Sequence, residues 1–216
     1  MQEMKTLTIG NETFKIKDGD AAPAGYGLGS TAKQIADCDL NNVIENGWYC
    51  YNKNAGVTNV PSESPSLLFV ESFYNTNFCK QTVTLLDGKG TTCMRVRHSG
   101  VWTQWEWLNP PMVLGSEYRT TERWQGKAVY TKMLNVGAFP GAGAVSYYGF
   151  GDDITKIIKI NGAAANAGFA IPFTSQDESV AISSTVYQGL ASIVLYVEKG
   201  DFTDTQCIAQ VWYTKD

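Results

Sequence analysis

Gly100-Val101-Trp102-Thr103-Gln104-Trp105-Glu106-Trp107-Leu108 brings three tryptophans into nine residues, and it decides the fold class. Aromatic residues favour strands, and successive side chains of a strand point to opposite faces. The stretch therefore predicts a strand with Trp105 and Trp107 on the same face as Val101, and we expect that face to be core. Asn109-Pro110-Pro111 ends the strand, because proline cannot donate to a ladder.

Short apolar or alternating runs precede this strand and are separated by Gly, Asn or Pro turns. Residues 91–98 alternate cleanly, with Met94 and Val96 on one side and Arg95 and Arg97 on the other. Residues 31–45 allow a short helix or turn. The pattern predicts a hairpin followed by an antiparallel meander, with strands within residues 7–17, 48–51, 66–74, 82–86 and 91–98.

A second β unit opens at Glu117-Tyr118-Arg119-Thr120-Thr121-Glu122-Arg123-Trp124. Six further runs rich in β-branched or aromatic residues follow it, with Gly- and Asp-containing turns between them. Such spacing predicts a sandwich or a jelly-roll-like domain. The runs span residues 128–136, 154–160, 169–173, 180–186, 190–197 and 207–213, and we expect the Gly-rich residues 141–151 to form a loop.

The composition of the chain limits the classes of function that it can have. The chain has 216 residues, 44% of them hydrophobic, which is enough for one large or two small packed domains. A net charge of −4 argues against a broad nucleic-acid-binding surface. The first residues lack the apolar run of a secretory signal, and no apolar run is long enough to cross a bilayer.

Four short motifs occur in an order that is typical of one protein family. They are Asp39-Leu40-Asn41-Asn42, Asn46-Gly47-Trp48-Tyr49, Asn59-Val60-Pro61 and Trp102-Thr103-Gln104-Trp105. In this order, residues 36–108 resemble the pyocin-knob-like modules of phage tail fibres. The opening Lys5-Thr6-Leu7-Thr8-Ile9-Gly10 is similar to the start of many phage structural proteins.

The second half resembles the C-terminal β-sandwich heads of phage receptor-binding proteins. The resemblance is carried by Val129-Tyr130-Thr131-Lys132, Val136-Gly137-Ala138-Phe139-Pro140 and the closing Val211-Trp212-Tyr213-Thr214-Lys215. Together the two resemblances imply an all-β chain, with an antiparallel knob-like meander followed by a β-sandwich or jelly-roll-like domain. The implied parts are a hairpin and linker (1–24), a knob-like module (25–115) and a receptor-binding head (116–216).

The resemblance implies a tail fibre tip protein of a phage or prophage. We expect it to attach to bacterial surface polysaccharide by non-covalent, multivalent binding, as a homotrimer in contact with other tail proteins. It would lie in the virion tail after synthesis in the bacterial cytoplasm, with no enzyme activity, cofactor, nucleic acid or membrane insertion. Two alternatives are a structural tail or baseplate component without a ligand and a fragment of a glycan depolymerase.

Residues that could carry chemistry lack the partners that chemistry needs. His98 is the single histidine and has no nucleophile elbow beside it. Asp152-Asp153 provides too few ligands for a metal loop, and a solvated turn is favoured. Glu106 invites a glycosidase interpretation, for which Glu45 or Glu71 would have to supply a second carboxylate. The five cysteines favour buried thiols in a reducing compartment, although Cys79 and Cys93 could pair.

The candidate ligand-binding residues form two surface pairs, each with at least one aromatic side chain. Trp102 and Gln104 fall on the polar face of the Trp-rich strand, at its turn. Tyr147 and Tyr148 fall in the predicted loop at one end of the second domain, where loop aromatics are plausible ligand contacts or packing for a neighbouring subunit. We expect binding to reside mainly in residues 116–216.

Overall fold

The computed structural model describes residues 6–9, 11–15, 31–151, 153–164, 169–174, 179–187 and 190–215. Within these residues the elements are strands and one short 3-10 helix, Leu40–Asn42, so the all-β prediction is confirmed. The chain divides into two compact units, Met1–Trp105 and Glu106–Asp216. The domain limits expected at residues 24 and 115 stay predictions.

The first unit contains the predicted hairpin and the predicted meander. In the hairpin, Leu7 pairs with Phe14 and Thr8 with Thr13. The linker expected at residues 18–30 lies outside the described residues. The strands are β1 (Thr6–Ile9), β2 (Glu12–Lys15), β3 (Lys33–Gln34), β4 (Gly47–Tyr51), β5 (Ser66–Ser72), β6 (Cys79–Leu85), β7 (Thr92–His98) and β8 (Val101–Trp102).

Strands β4 to β7 pair antiparallel in chain order, with β3 parallel beside β4 and β8 antiparallel beside β7. The pairing register aligns Tyr49, Leu68, Val83 and Cys93 in one row across the four strands. All four side chains are buried. This row is the centre of the first unit's core, as expected for a sheet with one face covered.

The neighbouring row on the same face is partly polar. It aligns Val70, Gln81 and Arg95, and each is at most 5% exposed. On the opposite face of β7, Val96 is 38% exposed. The alternation predicted for β7 is therefore confirmed, and the face that points into the core is the one that carries Arg95.

The second unit contains two sheets. One runs in the order β9–β10–β11–β18–β13–β14 and the other in the order β12–β17–β16–β15. The strands are β9 (Glu106–Trp107), β10 (Glu117–Trp124), β11 (Lys127–Ala138), β12 (Val145–Gly151), β13 (Ile154–Ala164), β14 (Phe169–Ile171), β15 (Phe173–Thr174), β16 (Ser179–Tyr187), β17 (Leu190–Lys199) and β18 (Gln206–Lys215).

One hydrophobic core joins the inner faces of these two sheets, so the predicted sandwich is confirmed. The first sheet contributes Ile154, Val211 and Tyr213 to it, and the second contributes Ile193 and Leu195. Each of these side chains is at most 2% exposed. The prediction of a loop at residues 141–151 was wrong, because Val145–Gly151 form the edge strand β12.

Candidate functional site

The Trp-rich stretch is not one continuous strand. β8 ends at Trp102 and the next strand begins two residues after Gln104, while Thr103 uses its hydroxyl to accept the hydrogen bond from Val96 N at 3.1 Å. A side-chain acceptor in place of a backbone one ends the ladder. Val101 is 71% exposed, so the core face predicted from the alternation was wrong.

Trp102 and Trp105 enclose a buried arginine. The guanidinium carbon of Arg95 lies 4.3 Å from the Trp102 ring centroid and 4.4 Å from that of Trp105. The two indole N–H groups donate to backbone carbonyls, Trp102 to Asn41 O and Trp105 to Asn59 O. Both tryptophans are half-buried and cover Arg95. Of Trp102 and Gln104, which were predicted to bind a ligand, only Gln104 is exposed.

The covered arginine is held by a polar network. Arg95 Nε donates to Gln81 Oε1 at 2.9 Å, and Gln81 Nε2 donates to the carbonyls of Leu40 and Val43, both at 2.7 Å. Burial lowers the pKa of Arg95 to about 10, while nearby Asp39 opposes that shift. These hydrogen bonds fix the short 3-10 helix to the sheet.

Glu106 is the buried residue of the Trp-rich stretch. Its Oε1 accepts from Arg119 Nε at 2.9 Å and from Arg123 Nη2 at 2.6 Å. Glu71, one proposed glycosidase partner, instead pairs with Lys80 at 2.6 Å. Glu106 thus ties β9 to β10, where Trp107 also meets a tyrosine ring edge-on.

The two predicted tyrosines of the second unit lie on opposite faces of β12. Tyr147 pairs with Val194 and is 70% exposed on the outer face. Tyr148 pairs with the fully buried Ile193, so it points to the inner face, where it is 37% exposed. Tyr148 lines a cleft of about 600 Å³ together with Lys132. The two tyrosines therefore cannot form one contact surface.

A cleft lined by aromatic side chains lies on the first unit. This aromatic cleft, defined by Trp48, Phe69, Phe73 and Tyr74, has a volume of about 650 Å³. Trp48 stacks on Phe69 and is 42% exposed, while Phe73 and Tyr74 are each 78% exposed. Large aromatic side chains with that exposure are typical of binding surfaces.

Polar groups hold the wall of the cleft and line its rim. Ser72 N donates to Asn46 Oδ1 at 2.5 Å, and the Ser72 hydroxyl donates to Ile44 O. Two carboxylates, Glu45 and Glu71, line the same cleft. The cleft therefore combines apolar ring faces with hydrogen-bond acceptors, the combination found in small-molecule sites.

Sequence reasoning missed this cleft. Residues 66–74 were predicted as one strand with Phe73 and Tyr74 on opposite sides, but β5 ends at Ser72. Both rings then lie in the following turn, where they meet edge-on with centroids 5.4 Å apart. The turn-forming Asn75-Thr76-Asn77, whose Asn75 side chain accepts from Asn77 N, is the signal that could have located the strand end.

The other candidate residues have structural surroundings. All five cysteines are free, which excludes a bridge between Cys79 and Cys93. His98 meets the ring of Phe78 edge-on. Asp153 pairs with Lys215, whereas Asp152 lies outside the described residues. In the described part of the chain no helix has the length and apolar character that a membrane crossing requires.

Comparison with known proteins finds similarity only among solved structures. No protein-family model and no curated protein matches the chain. A C-terminal fragment of the P. aeruginosa R1 pyocin fibre is 14% identical, with a TM-score of 0.34, over 93% of this chain and 70% of that one. A fragment of the R2 pyocin fibre is 13% identical, with a TM-score of 0.30 and the same coverage. Both are fragments of pyocin fibres, and likeness at this level assigns no function.

Proposed function

We propose that this chain is part of the tail fibre of a phage or a prophage-derived particle, and that it attaches to glycans on a bacterial surface. The ordered motifs of residues 36–108 support the tail assignment. The meander of the first unit and the sandwich of the second have the architecture that the two sequence resemblances implied.

The observation that carries glycan binding is the aromatic cleft of the first unit. The C–H face of a sugar ring packs against an aromatic face, and its hydroxyl groups need acceptors beside that face. Trp48, Phe73 and Tyr74 offer exposed rings, and Glu45 and Asn75 line the same cleft. A volume of about 650 Å³ accommodates a short oligosaccharide.

Attachment in this proposal is multivalent. A shallow cleft with few polar contacts gives weak binding per site, so useful avidity requires several copies on one particle. We therefore include a homotrimer and contacts with other tail proteins in the proposal. The outer face of the second sheet of the sandwich offers an exposed apolar surface for such contacts, with Val145 and Tyr147 on β12 and Tyr196 on β17.

The proposed attachment has no covalent step and needs no cofactor. Glu106, the residue that suggested glycoside hydrolysis, is buried and forms ion pairs with two arginines. The alternative of a structural tail or baseplate component is favoured by the same apolar surface around Tyr147 and Tyr196, since it could be buried entirely between subunits.

The test is binding of labelled protein to a panel of gut and Gram-positive bacteria. Trp48→Ala combined with Tyr74→Ala should abolish attachment to any strain that the unchanged protein binds. The matched control is Val101→Ala, an exposed apolar residue of the same unit outside the cleft. Attachment that survives the double change would remove the cleft from the proposal, and attachment to no strain would favour the structural alternative.

A further inference from the structure

Two lysines share the outer face of the second unit's first sheet, although their spacing on one strand should separate them. Lys156 and Lys159 both lie on β13, three residues apart. In a regular strand, residues an odd number apart face opposite sides. One of the two would then point into the sandwich core, which no lysine tolerates without a partner.

A bulge resolves this conflict. Lys156 pairs with Thr214 and Lys159 pairs with Trp212, and the register shifts between Ile157 and Lys159. The extra residue turns Lys159 outward while Ile157, opposite Tyr213, still packs on the core. Bulges interrupt a ladder, and they are frequent where a side chain must be re-aimed at a functional surface.

Each lysine is held over a tryptophan ring. Lys156 Nζ lies 5.1 Å from the Trp124 ring centroid, and Lys159 Nζ lies 4.7 Å from that of Trp212. Both lysines are exposed, and neither forms an ion pair with an acidic side chain of the described residues. By contrast, Lys215 on the neighbouring strand pairs with both Glu117 and Asp153.

The arrangement leaves two positioned ammonium groups with their N–H donors directed to solvent. A cation held over an indole has already lost much of the side-chain freedom that anion binding would otherwise remove. The residues opposite them, Trp212 and Thr214, are two positions apart on β18, which corresponds to roughly 7 Å along the strand. The pair therefore presents two positive charges on one face of the sheet.

We propose that this face, defined by Trp124, Lys156, Lys159 and Trp212, binds an acidic polysaccharide through carboxylates that repeat along its chain. Point-like ammonium groups suit single carboxylates. Nucleic acid is disfavoured as the occupant, because nucleobases need open aromatic platforms and each indole here already carries an ammonium group.

The experiment measures binding of the full chain to polygalacturonate, with dextran as the uncharged polysaccharide and a single-stranded oligonucleotide as the rival polyanion. The unchanged protein should bind polygalacturonate, and added salt should weaken that binding. Lys156→Gln with Lys159→Gln should weaken it about ten-fold, since two exposed ion pairs are lost. Lys156→Arg with Lys159→Arg should retain it, because charge and ring contact are kept.

The control is Lys89→Gln with Lys199→Gln, which removes the same charge from two exposed positions outside this face. The proposal is overturned if this control weakens binding as much as the Lys156 and Lys159 change. It is also overturned if dextran binds as well as polygalacturonate, if the oligonucleotide binds more tightly, or if polygalacturonate does not bind. Because Trp48 and its cleft play no part here, failure of either proposal leaves the other standing.

Discussion

Trp48 stacks on Phe69, its partner across β4 and β5, with ring centroids 4.4 Å apart and planes 21° apart. The pair lies on the face of the meander opposite the row of Tyr49 and Leu68, so the stack adds little to the core. A stacked pair that keeps a ring open to solvent is a platform for a ligand, and the first prediction follows from it.

Trp48→Ala should remove ligand attachment while lowering the free energy of unfolding by only about 1 kcal/mol, the contribution of a surface aromatic pair. Trp48→Phe should restore part of the attachment, because it keeps a ring over Phe69. Urea denaturation and cell binding on the same preparations check both effects. A stability loss as large as that of a core position would show that the ring supports the fold instead.

Trp105→Ala should lower the free energy of unfolding by about 2 kcal/mol, because it removes a cation–π contact and uncovers Arg95. The alternation of the sequence had placed this ring in the core, where about 3–5 kcal/mol would be lost. Urea denaturation measures the difference. Trp105→Phe is the control, since it keeps a ring over the guanidinium and loses only the hydrogen bond to Asn59.

Glu106→Gln should lower the free energy of unfolding by about 3 kcal/mol, because it leaves two arginines without their buried carboxylate. Glu71→Gln is the matched control. Its pair with Lys80 is exposed, with 45% and 42% of the two side chains accessible, so less than about 1 kcal/mol should be lost. Equal losses from the two changes would contradict the structural role of Glu106.

Tyr147→Ala and Tyr148→Ala should separate binding from stability. Tyr147→Ala should lower the free energy of unfolding by less than about 0.5 kcal/mol, because its ring points outward. Tyr148→Ala should lower it by about 1–2 kcal/mol, because its ring points inward. If the second unit contributes to attachment through its outer face, only Tyr147→Ala should weaken cell binding. Thermal unfolding and cell binding of the two single variants decide this, and identical behaviour would contradict their opposite orientation.

Stability should fall as the pH rises above about 9. Burial raises the pKa of Cys93 and of Cys207 to about 12 from an ordinary value of 9.0. The unfolded thiols therefore release protons that the folded ones retain, and stability present below pH 9 is lost toward pH 12. Between pH 9 and 10, each thiol should lower the free energy of unfolding by about 1 kcal/mol.

Urea denaturation at pH 8 and pH 10 measures this slope, and Cys93→Ala should reduce it relative to the unchanged protein. Arg95 acts in the opposite direction at higher pH, because its pKa is lowered to about 10, so the comparison is confined to that window. A slope unaffected by Cys93→Ala would place the responsible groups elsewhere.

Periodicity predicted the strands well because it depends on local alternation. The meander, the hairpin and the sandwich all followed from runs of β-branched and aromatic residues between turns. Alternation fails where long-range partners decide which face is inside. Arg95 of β7 faces inward because its guanidinium donates a hydrogen bond to Gln81 and lies over the rings of two tryptophans. None of those contacts can be read from the local sequence.

The candidate site was harder to predict for the same reason. Trp48 and Phe69 are neighbours only through the β4–β5 register, and Phe73 and Tyr74 join them only because β5 ends at Ser72. Two register shifts on β13 likewise decide which lysines share a face. Bulges and strand ends depend on side-chain hydrogen bonds that composition does not reveal.

Strand β12 places adjacent residues under different evolutionary constraints. Val145 and Tyr147 face outward at the sheet edge, whereas Ser146 and Tyr148 pair with Leu195 and Ile193 on the core side. Among diverging relatives, substitutions should accumulate at the first two positions and stay conservative at the second two. A lineage could then alter the outward surface by single mutations along one strand without a compensating change inside the protein.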